Sequence, residues 1–271
     1  MCSTCGCGQP DHDHDHDHDH EHDVELEHRH EPGAGRDEDL GLAHDHGAGH
    51  SHDGARERTV LKVGRAILAE NDRFAAYNRG WFDARGVRCV NLVGAPGSGK
   101  TTLLERLIPA LKERGLATMV VEGDQVTDND ARRIERAGAR AVQITTGKAC
   151  HLDAHQVGHA AQDLDPAKGT VLFVENVGNL VCPTEFDLGE AERVVVLSCV
   201  EGSDKPAKYA PIFESATAVV LSKTDLLPYV DFDLAECRRL IAGLNAKARI
   251  FELSARTGEG LAPFVEWIAR I

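Results

Sequence analysis

The chain has 271 residues, 42% hydrophobic and 5% aromatic, with a formal net charge of −14. It holds no apolar run of membrane-spanning length and no export signal, so a cytoplasmic protein is expected whose eight cysteines serve as thiols or metal ligands, not disulfides. Residues 1–56 hold 12 of the 15 histidines and 15 of the 44 acidic residues against three arginines, which leaves the remainder nearly neutral and without a basic patch for nucleic acid or a membrane surface.

In chain order, the first feature is Cys2, Cys5 and Cys7, followed by alternating acidic residues and histidines from Asp11 to His22. With neither lysine nor aromatic residue, 1–56 cannot build a core and is expected to be a disordered Cys/His-rich metal-binding tail. The three thiolates, joined by the amine of Cys2 if Met1 is trimmed, supply four donors. A square-planar set favours Ni²⁺ and a tetrahedral one Zn²⁺, and the sequence leaves both open. The Asp/His tract offers weaker sites suited to a nickel reserve. Residues 57–88 follow as a helical extension, in which Val60, Val63, Ile67, Phe74 and Tyr77 are spaced for helices that lean on the main domain.

Residues 89–271 alternate strand-like runs with helical patterns: Val90–Val93, Thr118–Val121, Ala141–Ile144, Thr170–Val174, Arg193–Ser198, Ala218–Leu221 and Arg249–Leu253. The pattern predicts an α/β fold of the P-loop NTPase kind, a mostly parallel sheet with helices on both faces and ligands at the carboxyl ends of the strands. The first strand runs into Gly94-Ala95-Pro96-Gly97-Ser98-Gly99-Lys100-Thr101-Thr102 and then a helix. Strand, glycine loop and helix together make a phosphate cradle of backbone N–H groups at Gly94, Gly97, Ser98, Gly99 and Thr102. Lys100 reaches the β- and γ-phosphates and the Thr101 hydroxyl ligates Mg²⁺.

Further candidates lie at later strand ends. Asp124 and Glu175 are the carboxylates expected to hold Mg²⁺ or its waters, and Gly178 allows a backbone N–H to approach the γ-phosphate. Ser222-Lys223-Thr224-Asp225 is a guanine-reading element. Asp225 can accept from guanine N1–H and the exocyclic amine, and Lys223 can lay its methylenes along the base. Ser254-Ala255-Arg256-Thr257-Gly258 follows the last strand as its companion loop. Ser222 is shorter than the usual Asn, which puts some tethering of the phosphate loop in doubt. Cys150, His151 and Cys182 are candidate ligands for Ni²⁺ or Zn²⁺, whereas Cys89, Cys199 and Cys237 read as small buried residues. His155 and His159 fall on one helical face, either as a histidine stripe or as solvent-exposed residues.

These motifs resemble one family closely, the hydrogenase nickel-incorporation GTPases known as HypB, of the SIMIBI class of P-loop GTPases. The resemblance spans nearly the whole chain. It rests on Met1–Cys7 and the His-rich tract, Leu68–Asp72, Gly94–Thr102, Thr146–Leu152, Glu175–Gly178 with Cys182-Pro183, and Ser254–Gly260. It implies GTP hydrolysis to GDP coupled to nickel delivery into [NiFe] hydrogenase, a zinc or nickel site in the GTPase domain, and a nucleotide-promoted homodimer. The Cys150, His151 and Cys182 region would form that dimer contact, and the partners would be the hydrogenase large subunit and another nickel-maturation accessory protein.

Because Cys182 shares a segment with Glu175 and Gly178, nucleotide state is expected to move a metal ligand. Rival readings are an accessory GTPase serving urease or a cobalamin enzyme, a nickel-storage protein with minor GTPase activity, and a small-molecule kinase. No residue is identifiable as an arginine finger, and slow intrinsic turnover is expected.

Overall fold

The computed structural model describes residues 52–124, 129–147 and 149–270, with side chains from Gly64 onward except at Asn129. Cys2, Cys5, Cys7 and the Asp/His tract lie outside the described residues. Seven strands, β1 (Arg88–Val93), β2 (Thr118–Asp124), β3 (Arg140–Thr145), β4 (Val171–Glu175), β5 (Glu192–Ser198), β6 (Ala218–Ser222) and β7 (Arg249–Glu252), form one sheet in the order β3-β2-β4-β1-β5-β6-β7. Every pairing is parallel, so the expected mostly parallel sheet is wholly so. Among the described residues no helix is long and apolar enough to cross a membrane.

Alternation along the strands divides the core between the two faces of the sheet. Val90, Leu92, Phe173, Val194, Val196 and Val220 point to one face. There they pack against Leu103, Leu104, Leu107 and Leu111 of α2 (Lys100–Lys112), Ile134 of α3 (Asn129–Ala137), and Phe264, Val265 and Ile268 of α8 (Leu261–Arg270). On the other face Val121, Leu172 and Val174 meet Val157, Ala161 and Leu164 of α4 (Ala154–Leu164) and Phe82 of α1 (His52–Arg85). Further along that face Val195, Leu197, Val219 and Leu221 cover Ile212 and Phe213 of α6 (Ala210–Glu214) and Ile241 of α7 (Leu234–Leu244). The near-continuous apolar strands follow from this double burial. A one-turn helix, α5 (Lys205–Lys208), precedes α6.

The expected helices of 58–85 are one continuous helix, α1, uninterrupted because the stretch lacks proline. Two buried asparagines fix α1 to the sheet-covering layer. Asn78 Nδ2 donates to Ala154 O (2.6 Å) and Leu188 O (3.0 Å). Asn71 accepts from Ala154 N at 2.9 Å and donates to Asp187 O at 2.8 Å. These bonds join α1 to the start of α4 and to the Asp187–Leu188 segment before β5; the N-terminus of α4 also carries a reciprocal cap between Asp153 and Gln156. Asn78→Ala would remove the side-chain donor from two buried carbonyls, those of Ala154 and Leu188. It is expected to cost about 2–3 kcal/mol, read as a fall in unfolding free energy by urea denaturation; a change below about 0.5 kcal/mol would show that water replaces the amide.

Candidate nucleotide and metal site

At the carboxyl end of β1 the chain turns through positive φ at Gly97 and Gly99 and enters α2 with Lys100 and Thr101 already helical. The backbone N–H groups of the first turn have no intrahelical partners, so a helix N-terminus lies behind the loop. Lys100 is buried, its Nζ donating to Gly94 O at 3.3 Å and Ala95 O at 3.5 Å. Burial lowers its pKa against the raising influence of Glu175 and Glu122. A cleft of about 480 Å³ opens above the loop, bordered by Lys100, Thr101, Asp124, Glu175, Gly178 and Lys223. It therefore gathers the sequence candidates from four strand ends, those of β1, β2, β4 and β6.

Thr101 Oγ1 donates to Glu175 Oε1 at 2.8 Å. Beside it lies Glu122, only 2% exposed, which the sequence reading passed over in favour of Asp124. Its signal was present, as a carboxyl directly after the apolar run Met119-Val120-Val121 inside a buried strand. Oε1 of Glu122 and Oε2 of Glu175 are buried, and no donor from the rest of the protein reaches them. Burial first, then the charge of Glu175, raises Glu122, and burial raises Glu175 despite Lys100, which favours the protonated form of the pair. Buried oxygens without donors beside a threonine hydroxyl form an all-oxygen set that fits a hard divalent cation such as Mg²⁺.

Gly178 shows how closely the next segment approaches the loop, since a Cβ there would lie 2.9 Å from the backbone of Pro96. Asn179 N also donates to Gly94 O at 3.0 Å. Arg133 of α3 borders the cleft as well and was not singled out in the sequence. It is held by Glu105 (2.8 Å), Asp130 (2.9 Å) and the Thr102 hydroxyl (3.2 Å), contacts that lie 3–31 residues apart along the chain.

A second hollow of about 210 Å³ adjoins the cleft, with Gly99, Thr102 and Lys223 bordering both. Asp225, Ser254 and Ala255 line it, and Asp225 Oδ1 accepts from Ser254 Oγ at 2.6 Å, joining the two motifs expected to read the base. Lys223 takes a left-handed turn (φ 60) and donates from Nζ to Gly97 O at 2.6 Å. Ser222 corrects the expectation of a weakened tether. It is the last residue of β6, and its hydroxyl donates to Ser98 O at 2.7 Å. Position in the strand compensates for the shorter side chain.

Cys150, His151 and Cys182 come together, with one donor atom from each within 4.8 Å of the others. His151 stacks on Phe186 with ring centroids 3.8 Å apart, and burial lowers its pKa, which favours the neutral ligand form. The neighbouring Cys150 thiol, then burial, raises Cys182. Thiolates with imidazole suit Zn²⁺, Ni²⁺ or Cu⁺ and not Mg²⁺. Cys89, Cys199 and Cys237 are buried, as expected, and lie outside this cluster. His155 and His159 are exposed.

Comparison with known proteins gives this geometry a family. The model for the CobW/HypB/UreG nucleotide-binding domain matches residues 88–252. The hydrogenase maturation factor HypB of Rhizobium leguminosarum bv. viciae is 53% identical over 215 residues, which is 79% of this chain and 72% of that protein. The chain belongs to the HypB hydrogenase maturation factors. Two HypB crystal structures share its fold: that from Archaeoglobus fulgidus is 38% identical with a TM-score of 0.69, covering 74% of this chain and 97% of the other. HypB from Helicobacter pylori, solved in complex with nickel, is 37% identical with a TM-score of 0.69, covering 74% of this chain and 94% of the other.

The buried carboxyl pair in this HypB chain makes a pH prediction. Both folded-state pKa values are raised, so the stability linked to them is complete below the unfolded value of about 4.5 and is lost as pH climbs toward the raised values. Glu122→Gln removes one titration and keeps a donor facing Glu175. Without nucleotide or Mg²⁺ the variant is expected to melt above the parent, by a margin that widens between about pH 5 and pH 8. A constant margin across that range would show that the pair is not charged at a cost.

Proposed function

We propose that this chain is a GTPase that carries nickel for the maturation of [NiFe] hydrogenase, its nucleotide state governing the metal held at Cys150, His151 and Cys182. In this reading residues 1–56 form the nickel-binding tail, 57–88 a helical extension and 89–271 the GTPase domain. The backbone N–H groups from Gly97 to Thr102 cradle the phosphates, Lys100 supports the β- and γ-phosphates, and Asp225 and Lys223 read the guanine. Thr101, Glu175 and Asp124 would hold Mg²⁺, which when bound neutralises charge on the phosphate oxygens. Glu122 then sits ready to surrender the proton it shares with Glu175 as the cation arrives.

The observation that carries the coupling is Asn176. It follows Glu175 directly, and its Oδ1 accepts from Leu152 N at 3.1 Å and from Val177 N at 3.0 Å. Leu152 in turn follows Cys150 and His151, while Val177 leads to Cys182. One buried amide therefore joins the carboxylate of the cation site to both arms of the metal cluster. Leu152 also packs on the strand between Glu122 and Asp124, where a Cβ on Gly123 would come within 2.8 Å of it. Movement at the cation site has a short path to the ligands.

Three donors leave a transition-metal ion short of a full shell, and Val181 beside Cys182 is an apolar side chain 61% exposed. Both features support a two-fold contact that brings two such clusters together when GTP is bound. The partners in this reading are the hydrogenase large subunit and another nickel-maturation accessory protein. Zinc is the alternative occupant of the domain cluster.

Linkage makes the central test reciprocal. If GTP changes nickel affinity at the domain cluster, nickel must change GTP affinity by the same factor. Fluorescent nucleotide titrations with and without Ni²⁺ are expected to differ, and Asn176→Ala is expected to retain both ligands while erasing the difference. Equal affinities in the parent protein would remove the coupling. Lys100→Ala is expected to lower GTP hydrolysis by roughly 10²–10³-fold while nickel at the tail is retained. Cys2→Ala should have the opposite pattern; loss of both activities in either variant would mean that the two modules are not independent.

A further inference from the structure

Asn91 is a polar residue inside the central strand β1, wholly buried between Val90 and Leu92. An amide in that place is costly unless its groups are bonded. Its Oδ1 accepts from Asn176 Nδ2 at 3.4 Å, and its Nδ2 donates to Glu190 Oε1 at 3.1 Å. The register explains the pairing, because Asn91 lies opposite Val174 on β4 and opposite Arg193 on β5. Glu190 Oε1 accepts from Arg193 Nε as well, at 2.8 Å, and its Oε2 accepts from Leu188 N at 2.7 Å. The Arg193 and Glu190 side chains are only 10% and 5% exposed.

The guanidinium carries the chain of bonds onward. Arg193 Nη1 donates to Thr184 O and to Ser215 Oγ, both at 3.2 Å, and Nη2 donates to Phe186 O at 3.1 Å. Thr184 ends the turn that begins at Cys182, and the Phe186 ring stacks on His151. Side-chain hydrogen bonds therefore run without a break from Asn176, beside Glu175, to the backbone behind one cluster thiol and the ring against the cluster imidazole. A buried ion pair adds little stability over apolar residues of equal volume. What this one supplies is direction, since a flat guanidinium fork addresses separate oxygens at once and an ammonium does not.

We propose that Asn91, Glu190 and Arg193 are positioning residues for the Cys150, His151 and Cys182 cluster, setting the Cys182 turn and the Phe186 ring from within the core. The consequence for nickel rests on the function proposed above; the placement of the Cys182 thiol does not. Residues that orient metal ligands from behind are worth roughly 10–100-fold in metal affinity.

Alkylation of cysteines by iodoacetamide, read peptide by peptide by mass spectrometry, follows each thiol within the full chain. Buried Cys89, Cys199 and Cys237 report at the same time whether the fold is kept. Arg193→Lys preserves a charge beside Glu190 and gives up the fork. Without metal it is expected to speed alkylation of Cys182 relative to Cys150 while the three buried thiols stay protected, whereas a general loosening would expose them. With Ni²⁺ it is expected to raise the concentration that half-protects Cys182 by roughly 10–100-fold and to leave protection of Cys2, Cys5 and Cys7 as in the parent. Should Arg193→Lys expose the buried thiols, Asn91→Leu decides alone, because it keeps the branched shape, removes the amide and is expected to shift Cys182 in the same direction. Parent values for both Cys182 readouts, in a variant whose buried thiols stay protected, would overturn the proposal. A faster Cys182 without metal, combined with Ni²⁺ that protects the tail thiols but neither Cys150 nor Cys182 of the parent, would uphold the positioning and defeat the nickel reading of the cluster.

Discussion

Burial of two carboxyl groups beside a single ammonium group is the constraint on which the rest of this site depends. Glu122 and Glu175 sit at neighbouring strand ends with Lys100 as the cation closest in sequence to the phosphate loop, and all three are removed from water. A buried charge without compensation is costly, which favours the protonated form of the pair over two buried charges. The arrangement ties three things to one place: the protonation of the pair, the hydroxyl of Thr101, and the stiffness of the segment that continues from Glu175. A divalent cation and a phosphate chain answer that imbalance with opposite charges in the right order.

Much of this was legible in the sequence, and the reasons are physical. The seven strands declare themselves because a doubly covered parallel sheet demands nearly unbroken apolar runs, and Val171–Val174 or Val194–Leu197 can hardly be anything else. The phosphate loop is equally plain, because its chemistry is local and its spacing fixed by backbone geometry. Cys150, His151 and Cys182 were nameable from residue type, and the fold supplies the reason they meet: β3 and β4 flank β2, so the loops that follow them open on the same edge of the sheet.

What escaped was non-local. Asn176 binds a backbone N–H 24 residues away, and Asn71 and Asn78 bind groups 76–116 residues away. Such bonds leave no period and no motif, and an asparagine in a helix reads as surface until its partner is known. Ser222 is the converse case. A motif position judged by residue type alone appeared deficient, yet the main chain brings its hydroxyl to Ser98 O. The reach of a side chain matters only relative to where its strand ends.

Arg193 determines what kind of motion the segment bearing Cys182 can make. Its guanidinium, paired with Glu190 at 2.8 Å in a nearly water-free setting, donates to Thr184 O at 3.2 Å and Phe186 O at 3.1 Å. Asn176 anchors the same stretch at its other end. Cys182 therefore hangs between two fixed posts, on a span too short to unravel without breaking one of them. A thiol mounted in this way can tilt but not wander: under the function proposed above, the grip on an ion would be relaxed by rotation of a single thiolate within the Cys182–Thr184 turn, and the same rotation in reverse would restore it.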